Sequence, residues 1–266
     1  MGITYMKISK LNIKKILLKR LGNIRATIRF VLFILAMLLF ISRLLITRFF
    51  TPLKVEIGIK HRQQFCNVLL PILGIQITKK GKSAYDNVLF IANHRSYIDP
   101  FVLVTHFDAL ALAKIEVRSW PIIGFGVKIT GTYFVKRAEK SSRQAAREGI
   151  ANTIKNGHSI LLFPEGTTSD LPTTLPFKPR TFQMAADNQI KVIPIAIEFQ
   201  DPKDAWIGTD TFIRHFFQTF AKPTIVCEVH YGLPMWEADG TLLKTNVQSW
   251  INQELSTIRT KWGLSN

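Results

Sequence analysis

Residues 88–100 read Val-Leu-Phe-Ile-Ala-Asn-His-Arg-Ser-Tyr-Ile-Asp-Pro. The first five form a short, continuous apolar run, the pattern of a strand buried on both faces. His94 follows just past the strand end, where a helix begins. Asp99 lies five residues further on. One turn of helix between them lets the carboxylate fold back toward the imidazole. An Asp bonded to one ring nitrogen fixes the tautomer, and the other nitrogen is then able to take a proton from a hydroxyl. A His–Asp pair at this spacing also arises by chance, so the pair alone does not decide the chemistry.

Outward from this strand the same rhythm repeats. Further strands are expected at Ala109–Ala113, Thr132–Val135, Ile160–Phe163, Lys191–Ile197 and Thr224–His230. A helix is expected over Ser141–Asn156, with Ser141 or Ser142 as N-cap and Gly157 after its end, and a last helix over Leu242–Trp262. Near-continuous apolar strands alternating with helices predict an α/β fold with a mostly parallel, twisted central sheet flanked by helices. In such sheets ligands collect beyond the strand C-termini. The aromatic-rich stretch Trp206–Phe220 fits no element clearly.

Two more constellations sit at strand ends. Phe163-Pro-Glu-Gly-Thr-Thr-Ser169 is a tight polar turn, with Glu165, Thr167 and Thr168 expected to point into the crevice and the backbone able to hold an oxyanion or headgroup. Gly131-Thr-Tyr-Phe-Val-Lys-Arg137 delivers Lys136 and Arg137, the arginine being suited to phosphate. No G-x-S-x-G elbow occurs, and no Cys–His pairing is suggested by context. His94 therefore points to direct activation of a substrate hydroxyl. Cys66 and Cys227 read as two buried thiols in a reducing compartment.

Charge is unevenly placed. Residues 1–62 hold thirteen Lys/Arg against the single acid Glu56, so +12 of the net +17 lies in the first quarter. Residues 7–29 alternate bases with apolar residues, and Ile13, Leu17, Leu21, Ile24 and Ile28 recur at helical spacing. Such a basic amphipathic helix reads as a membrane-surface element. Phe30–Ile41 is then wholly apolar, and Leu44-Leu45-Ile46 resumes it after Ser42-Arg43. Twelve residues reach only ~18 Å against a hydrocarbon core of ~30 Å. A single span through Arg43 and an anchor lying in one leaflet both remain open. The chain divides into an anchoring segment, 1–62, and an α/β domain, 63–266. The basic stretch lacks interleaved aromatics and any helix-turn-helix or zinc spacing, so nucleic acid is not the expected partner; acidic membrane headgroups are.

Asn93-His94-x4-Asp99, Gly131-x-x-Phe134-Val135-x-Arg137, Phe163-Pro-Glu-Gly-Thr167 and Val192-Ile-Pro-Ile195 resemble, in order and spacing, the four motif blocks of the glycerolipid acyltransferases related to bacterial 1-acylglycerol-3-phosphate acyltransferase. Ala113-Lys114 and Pro121-x-x-Gly124 are similar to linking features of that family, and the resemblance covers about residues 85–200. It implies a fatty acyl thioester on coenzyme A or acyl carrier protein as donor, with His94 as general base oriented by Asp99. It implies no metal or redox cofactor, and a place on the cytoplasmic face of the inner membrane. Arg137, Glu165, Gly166 and Thr167 carry over as acceptor-headgroup or phosphate binders. Asn93, Lys114, Thr168, Lys178 and Arg180 complete the candidate substrate-binding set. Two departures bear on the acceptor. Thr168 stands where the lysophosphatidate branch commonly has an arginine, and Pro179-Arg180 stands where a glycine often follows Phe177-Lys178. Arg180 is the candidate replacement for the missing charge. The stretch through Leu175-Pro-Phe-Lys178 also resembles relatives that acylate lyso-ornithine lipids. The expectation is acylation of a lysophospholipid, 1-acylglycerol 3-phosphate first and lyso-ornithine lipid or another lysolipid as the alternative. A non-catalytic lipid-binding protein is the reading from another class.

Overall fold

The computed structural model describes residues 2–51, 54–115, 119, 133–135 and 140–264. Helices α1 (Gly2–Phe50) and α2 (Val55–Leu73) lead into strand β1 (Ile75–Lys80). There follow β2 (Leu89–Ala92), α3 (Asp99–Leu103), β3 (Ala109–Lys114), β4 (Tyr133–Val135), α4 (Lys140–Lys155) and β5 (Ser159–Leu162). The chain continues through α5 (Pro179–Asp187), β6 (Val192–Phe199), α6 (Phe212–Thr219), β7 (Ile225–Tyr231) and α7 (Gly240–Lys261). The strands lie in the order β1-β7-β6-β2-β5-β3-β4, every neighbouring pair parallel except β6 with β7.

This is the expected mostly parallel α/β sheet. β2 shows why: Leu89 to Ala92 are all fully buried, with Phe90 and Ala92 entering one apolar cluster and Leu89 and Ile91 the other. The first cluster joins the sheet to α1, α2, α3 and α6, and the second joins it to α4, α5 and α7.

Three expectations change. Strand β1 was not legible, because as a sheet edge it buries little beyond Ile75 and its Thr78-Lys79-Lys80 end reads as loop. Strand β6 runs past Ile197 and carries Glu198 inside it, buried. Helix α4 starts at Lys140, so Ser141 and Ser142 fall within its first turn rather than at its cap, a shift of the size that soft helix ends allow. The unplaced Trp206–Phe220 stretch resolves into a loop and α6, which Thr211 caps by accepting from the Arg214 N–H, and a short 3-10 turn at Pro202–Asp204 precedes it. Cys66 and Cys227 are free and buried, and burial pushes the Cys66 thiol up to about 12.

Helix α1 docks on α2 and α6 through a narrow stripe. Ala26, Arg29, Phe33, Met37, Phe40 and Leu44 are buried at heptad-like spacing. The apolar face read from sequence as a membrane-surface element is a different one and stays outward: Leu17, Leu21, Ile24 and Ile28 are exposed. The arginines also behave differently. Instead of meeting acidic headgroups, Arg29 turns inward. Its Nε donates to the Ile72 carbonyl at 3.1 Å, Nη1 to Phe220 at 3.0 Å and Lys222 at 2.6 Å, and Nη2 to Pro223 at 2.8 Å. Arg25 donates to Ala221 at 2.7 Å. These carbonyls end α2 and follow α6, where the chain runs out of helical N–H partners. Gly74 makes the approach possible: it adopts φ 74° as the α2 C-cap, and a Cβ there would overlap the Arg29 guanidinium.

Replacing Arg29 by Met leaves these carbonyls without their donors. It is expected to lower the stability of the detergent-solubilised protein by roughly 3 kcal/mol, with Arg29→Lys recovering only part, as read by thermal unfolding.

Candidate active site

The site forms where β2 and β5 end side by side and their following loops, 93–99 and 163–175, lock together. Asn93 is fully buried and extends the sheet with its side chain. Its Nδ2 donates to the Ile197 carbonyl at 2.9 Å and its Oδ1 accepts the Ile197 N–H at 2.8 Å. The Asn93 amide, a substrate-ligand candidate from sequence, is thus used twice on β6, where it brackets the loop to the sheet.

His94 comes next. Its Nδ1 lies 2.7 Å from Asp99 Oδ2, and its ring stacks on Phe163 with centroids 4.2 Å apart and planes 21° from parallel. The His94 side chain is 20% exposed and that of Asp99 0%. The same Asp99 oxygen accepts the Arg95 N–H at 2.6 Å and the Ser96 N–H at 2.9 Å. Three donors converging on one buried oxygen fix it, so the imidazole is oriented from behind. Among the described residues His94 Nε2 has no hydrogen-bond partner, and no Ser, Thr or Cys side chain bonds to the ring. A ring held in this way presents Nε2 outward, the geometry a proton acceptor requires.

The second loop holds His94 through its backbone. Glu165 Oε1 accepts the His94 N–H at 2.8 Å and Oε2 accepts the Leu175 N–H at 2.8 Å, while the Ser169 N–H donates to the His94 carbonyl at 2.9 Å. Gly166, at φ 75°, closes the turn by donating to the Phe163 carbonyl at 3.2 Å. Burial pushes the Glu165 carboxyl up, against the pull of the Leu175 and His94 N–H donors and the charge of Arg95.

The sequence expectation for this loop is thus corrected in part. Glu165 is buried and bonded inward, and Thr168 donates its hydroxyl to the Trp206 carbonyl; neither side chain points freely into the crevice. Thr167 is exposed and Gly166 half-buried. Lys178 caps the start of α5, its N–H donating to Pro164 at 3.3 Å. Arg180 is exposed on the first turn of that helix and makes no hydrogen bond or ion pair with another described residue. Lys114 ends β3. Arg137 and Lys136 lie outside the described residues.

Sequence reasoning passed over Phe163, Ser169, Arg95, Glu198 and Trp206. The Trp206 N–H donates to the Arg95 carbonyl at 2.9 Å and its ring meets Tyr97 edge-on at 5.4 Å, so the 200–211 loop is stitched to both motif loops. The flanking of His94 by an arginine was the one available signal for Arg95. The others are ordinary residues until the loops meet.

Residues 74–198 match the acyltransferase family. A lyso-ornithine lipid O-acyltransferase of Brucella abortus is 30% identical over 231 residues, covering 79% of this chain and 86% of the relative. The chain belongs to the acyltransferase family. A 1-acyl-sn-glycerol-3-phosphate acyltransferase of Neisseria gonorrhoeae is 30% identical over 129 residues, 48% of this chain and 51% of that one. The chain thus spans about half the length of the first curated relatives it matches. The crystal structure of the 1-acyl-sn-glycerophosphate acyltransferase PlsC from Thermotoga maritima shares the fold, with TM-score 0.65 and 18% identity over 93% of this chain and 97% of that one. The matched family segment runs from just before β1 to Glu198, and so contains both interlocked loops of this acyltransferase.

Glu165→Gln puts an amide NH2 against one of two backbone donors, and turnover is expected to fall about ten- to a hundredfold. Stability should respond through its pH dependence. A carboxyl raised in the folded state adds stability below the ordinary value of 4.5 and loses it as pH rises through the raised value, so the Gln variant should show a flatter stability–pH curve across that range. Steady-state kinetics and unfolding at several pH values check both.

Proposed function

We propose that this chain moves a fatty acyl group from a thioester, acyl-CoA or acyl-ACP, to the free hydroxyl of a lysophospholipid, with His94 as general base. The observation that carries the reading is the His94–Asp99 contact of 2.7 Å, with Nε2 unpartnered among the described residues. The hydroxyl proton passes to Nε2 as the oxygen attacks the thioester carbon. The tetrahedral intermediate collapses, the C–S bond breaks, and the imidazolium returns the proton to the departing thiolate. Asp99 accepts from Nδ1–H throughout and stabilises the transient imidazolium. Two features support direct attack without an acyl-enzyme: no described hydroxyl or thiol bonds to the His94 ring, and both cysteines are buried. The reaction so written calls for no metal or redox cofactor.

For the acceptor, 1-acylglycerol 3-phosphate giving phosphatidic acid is the first reading, with Thr167, Gly166 and Arg137 at the headgroup and Arg180 and Lys114 as further cations. A specific observation supports the second, lyso-ornithine lipid. Thr168, where the lysophosphatidate branch commonly carries an arginine, is spent on the Trp206 carbonyl, and the Brucella relative aligns over most of both chains.

The apolar surface of α1 supports a membrane site. From Ile16 to Phe50, large apolar side chains on its outer face stand exposed, more contiguous surface than a water-soluble protein leaves uncovered. Lys14, Lys15, Lys19 and Arg20 are exposed on the same helix and suit acidic headgroups. The stripe docked on the catalytic side runs from Ala26 to Leu44, through most of the apolar run, which favours a helix lying in one leaflet over one that crosses. We place the enzyme on the cytoplasmic side of the inner membrane, where its thioester donors are found.

His94→Ala is expected to stay folded and lose about three orders of magnitude in turnover; near-wild-type rates would sink the mechanism. Labelled acyl thioester offered with lysophosphatidate, lyso-ornithine lipid and other lysolipids identifies the acceptor, and absence of transfer to every one rejects the assignment. Leu39 is 71% exposed on α1, away from the docking stripe. Leu35→Asp with Leu39→Asp should leave folding intact and abolish flotation with phosphatidylglycerol-containing vesicles, and unchanged flotation would reject the anchor.

A further inference from the structure

Arg95 stands between the base and Ser96, and it is the largest of the fully buried side chains, 1% exposed. Its Nη1 donates to the Ser169 carbonyl at 2.9 Å and the Leu171 carbonyl at 2.7 Å. Its Nη2 donates to Glu198 Oε2 at 2.8 Å, and the same oxygen receives Arg259 Nη1 of α7 at 3.2 Å. Glu198 Oε1 accepts the Phe199 N–H at 3.1 Å. One buried carboxylate therefore anchors a guanidinium from the base loop and another from the C-terminal helix.

Folding alone gives little reason for this arrangement. Buried Arg–Glu–Arg groups lose their hydration, and apolar residues of similar size often serve stability as well or better. What charge and a rigid fork supply here is geometry: only a guanidinium reaches two carbonyls and a carboxylate at once. Those carbonyls belong to the loop that grips the base. Ser169 receives Arg95 on its carbonyl and donates its own N–H to the His94 carbonyl. A displacement of Ser169 is thus a displacement of His94. The backbone of Arg95 closes the same circuit, donating its N–H to Asp99 and accepting from Trp206.

We propose that Arg95 is a positioning residue for the reaction: held by Glu198, and through it by Arg259, it clamps the 163–175 loop onto the 93–99 loop and sets the direction of His94 Nε2. The proposal rests on the reading of His94 as the base. Arg95 itself touches no reacting atom. Its effect belongs on kcat and on the pH dependence of kcat/KM, and not on donor binding.

The test uses the full chain in detergent with Arg95→Met, Arg95→Lys and Glu198→Gln, measuring kcat per folded molecule, KM for the acyl thioester, the pH profile and thermal unfolding. Arg95→Met should lower kcat about a hundredfold with KM changed less than about threefold, the size expected for a base misplaced by about an ångström. Arg95→Lys should recover only part of the loss and displace the acid limb of the profile, and Glu198→Gln should cost about tenfold. His230→Gln is the comparison. His230 lies 2.5 Å from Glu254 and 2.8 Å from Glu228, a second buried ion cluster outside both motif loops, and its loss should lower the melting temperature with kcat unchanged. Should Arg95→Met not fold, Glu198→Gln decides. Wild-type kcat in the folded Arg95 or Glu198 variants, whatever their melting temperature, overturns the proposal, as does an equal loss of kcat in His230→Gln. Activity in His94→Ala overturns the base reading instead, and is distinguishable because it leaves the Arg95 circuit intact.

Discussion

The backbone of His94 is gripped on both sides by one loop. Its N–H goes to the Glu165 carboxylate and its carbonyl takes the Ser169 N–H, at 2.8 and 2.9 Å. Everything chemically useful at the site hangs on this double hold. The imidazole cannot present a constant lone pair unless its own peptide is fixed, and a loop between a strand and a five-residue helix has little regular structure to fix it. The 163–175 loop supplies the missing restraint, and it does so with a buried carboxylate that burial itself disfavours. Stability is given up locally, and a fixed orientation of the imidazole is what results.

That double hold is suspended from the sheet. Asn93 completes a pair with Ile197 of β6, and the next residue along, Glu198, takes up Arg95. The two loops therefore meet over the end of β6, the strand whose other side turns antiparallel to β7. A crevice beyond the carboxyl ends of parallel strands is the usual place for a ligand in such sheets. Here it is also the place where three chain segments can each contribute one side of a rigid frame.

Helix α1 belongs to the same construction. Phe30 meets Phe216 at 5.2 Å and Phe217 at 5.5 Å on α6, and α6 reaches the base loop through Phe212 on Tyr97 at 5.0 Å. His215 of the same helix lies 3.3 Å from the Tyr97 hydroxyl. The helix that carries the exposed apolar surface is thus in packing contact, through one intermediate helix, with the residue two before Asp99. A site held in this way keeps a set position relative to the exposed apolar face of α1.

Much of this was open to sequence. Strand period, apolar runs and the positions of His94, Asp99 and the Phe163–Ser169 turn are local properties, and local chemistry determined the sheet's class, its main strands and the candidate His94–Asp99 pair. Interval and order of four short motifs pointed to the family. What local pattern could not determine was the destination of each polar group. Asn93, Glu165 and Thr168 read as ligands because they are polar residues at strand ends, but a buried N–H or carbonyl demands a partner, and those partners sit 104, 71 and 38 residues away in sequence. Arg25 and Arg29 read as part of a basic arm because their acceptors, carbonyls near residues 72 and 220–223, exist only once α2 and α6 have ended beside α1. Which face of α1 turns inward was decided the same way, by the shape and unsatisfied carbonyls of the surface it meets, since a helix apolar all round carries no inward direction of its own.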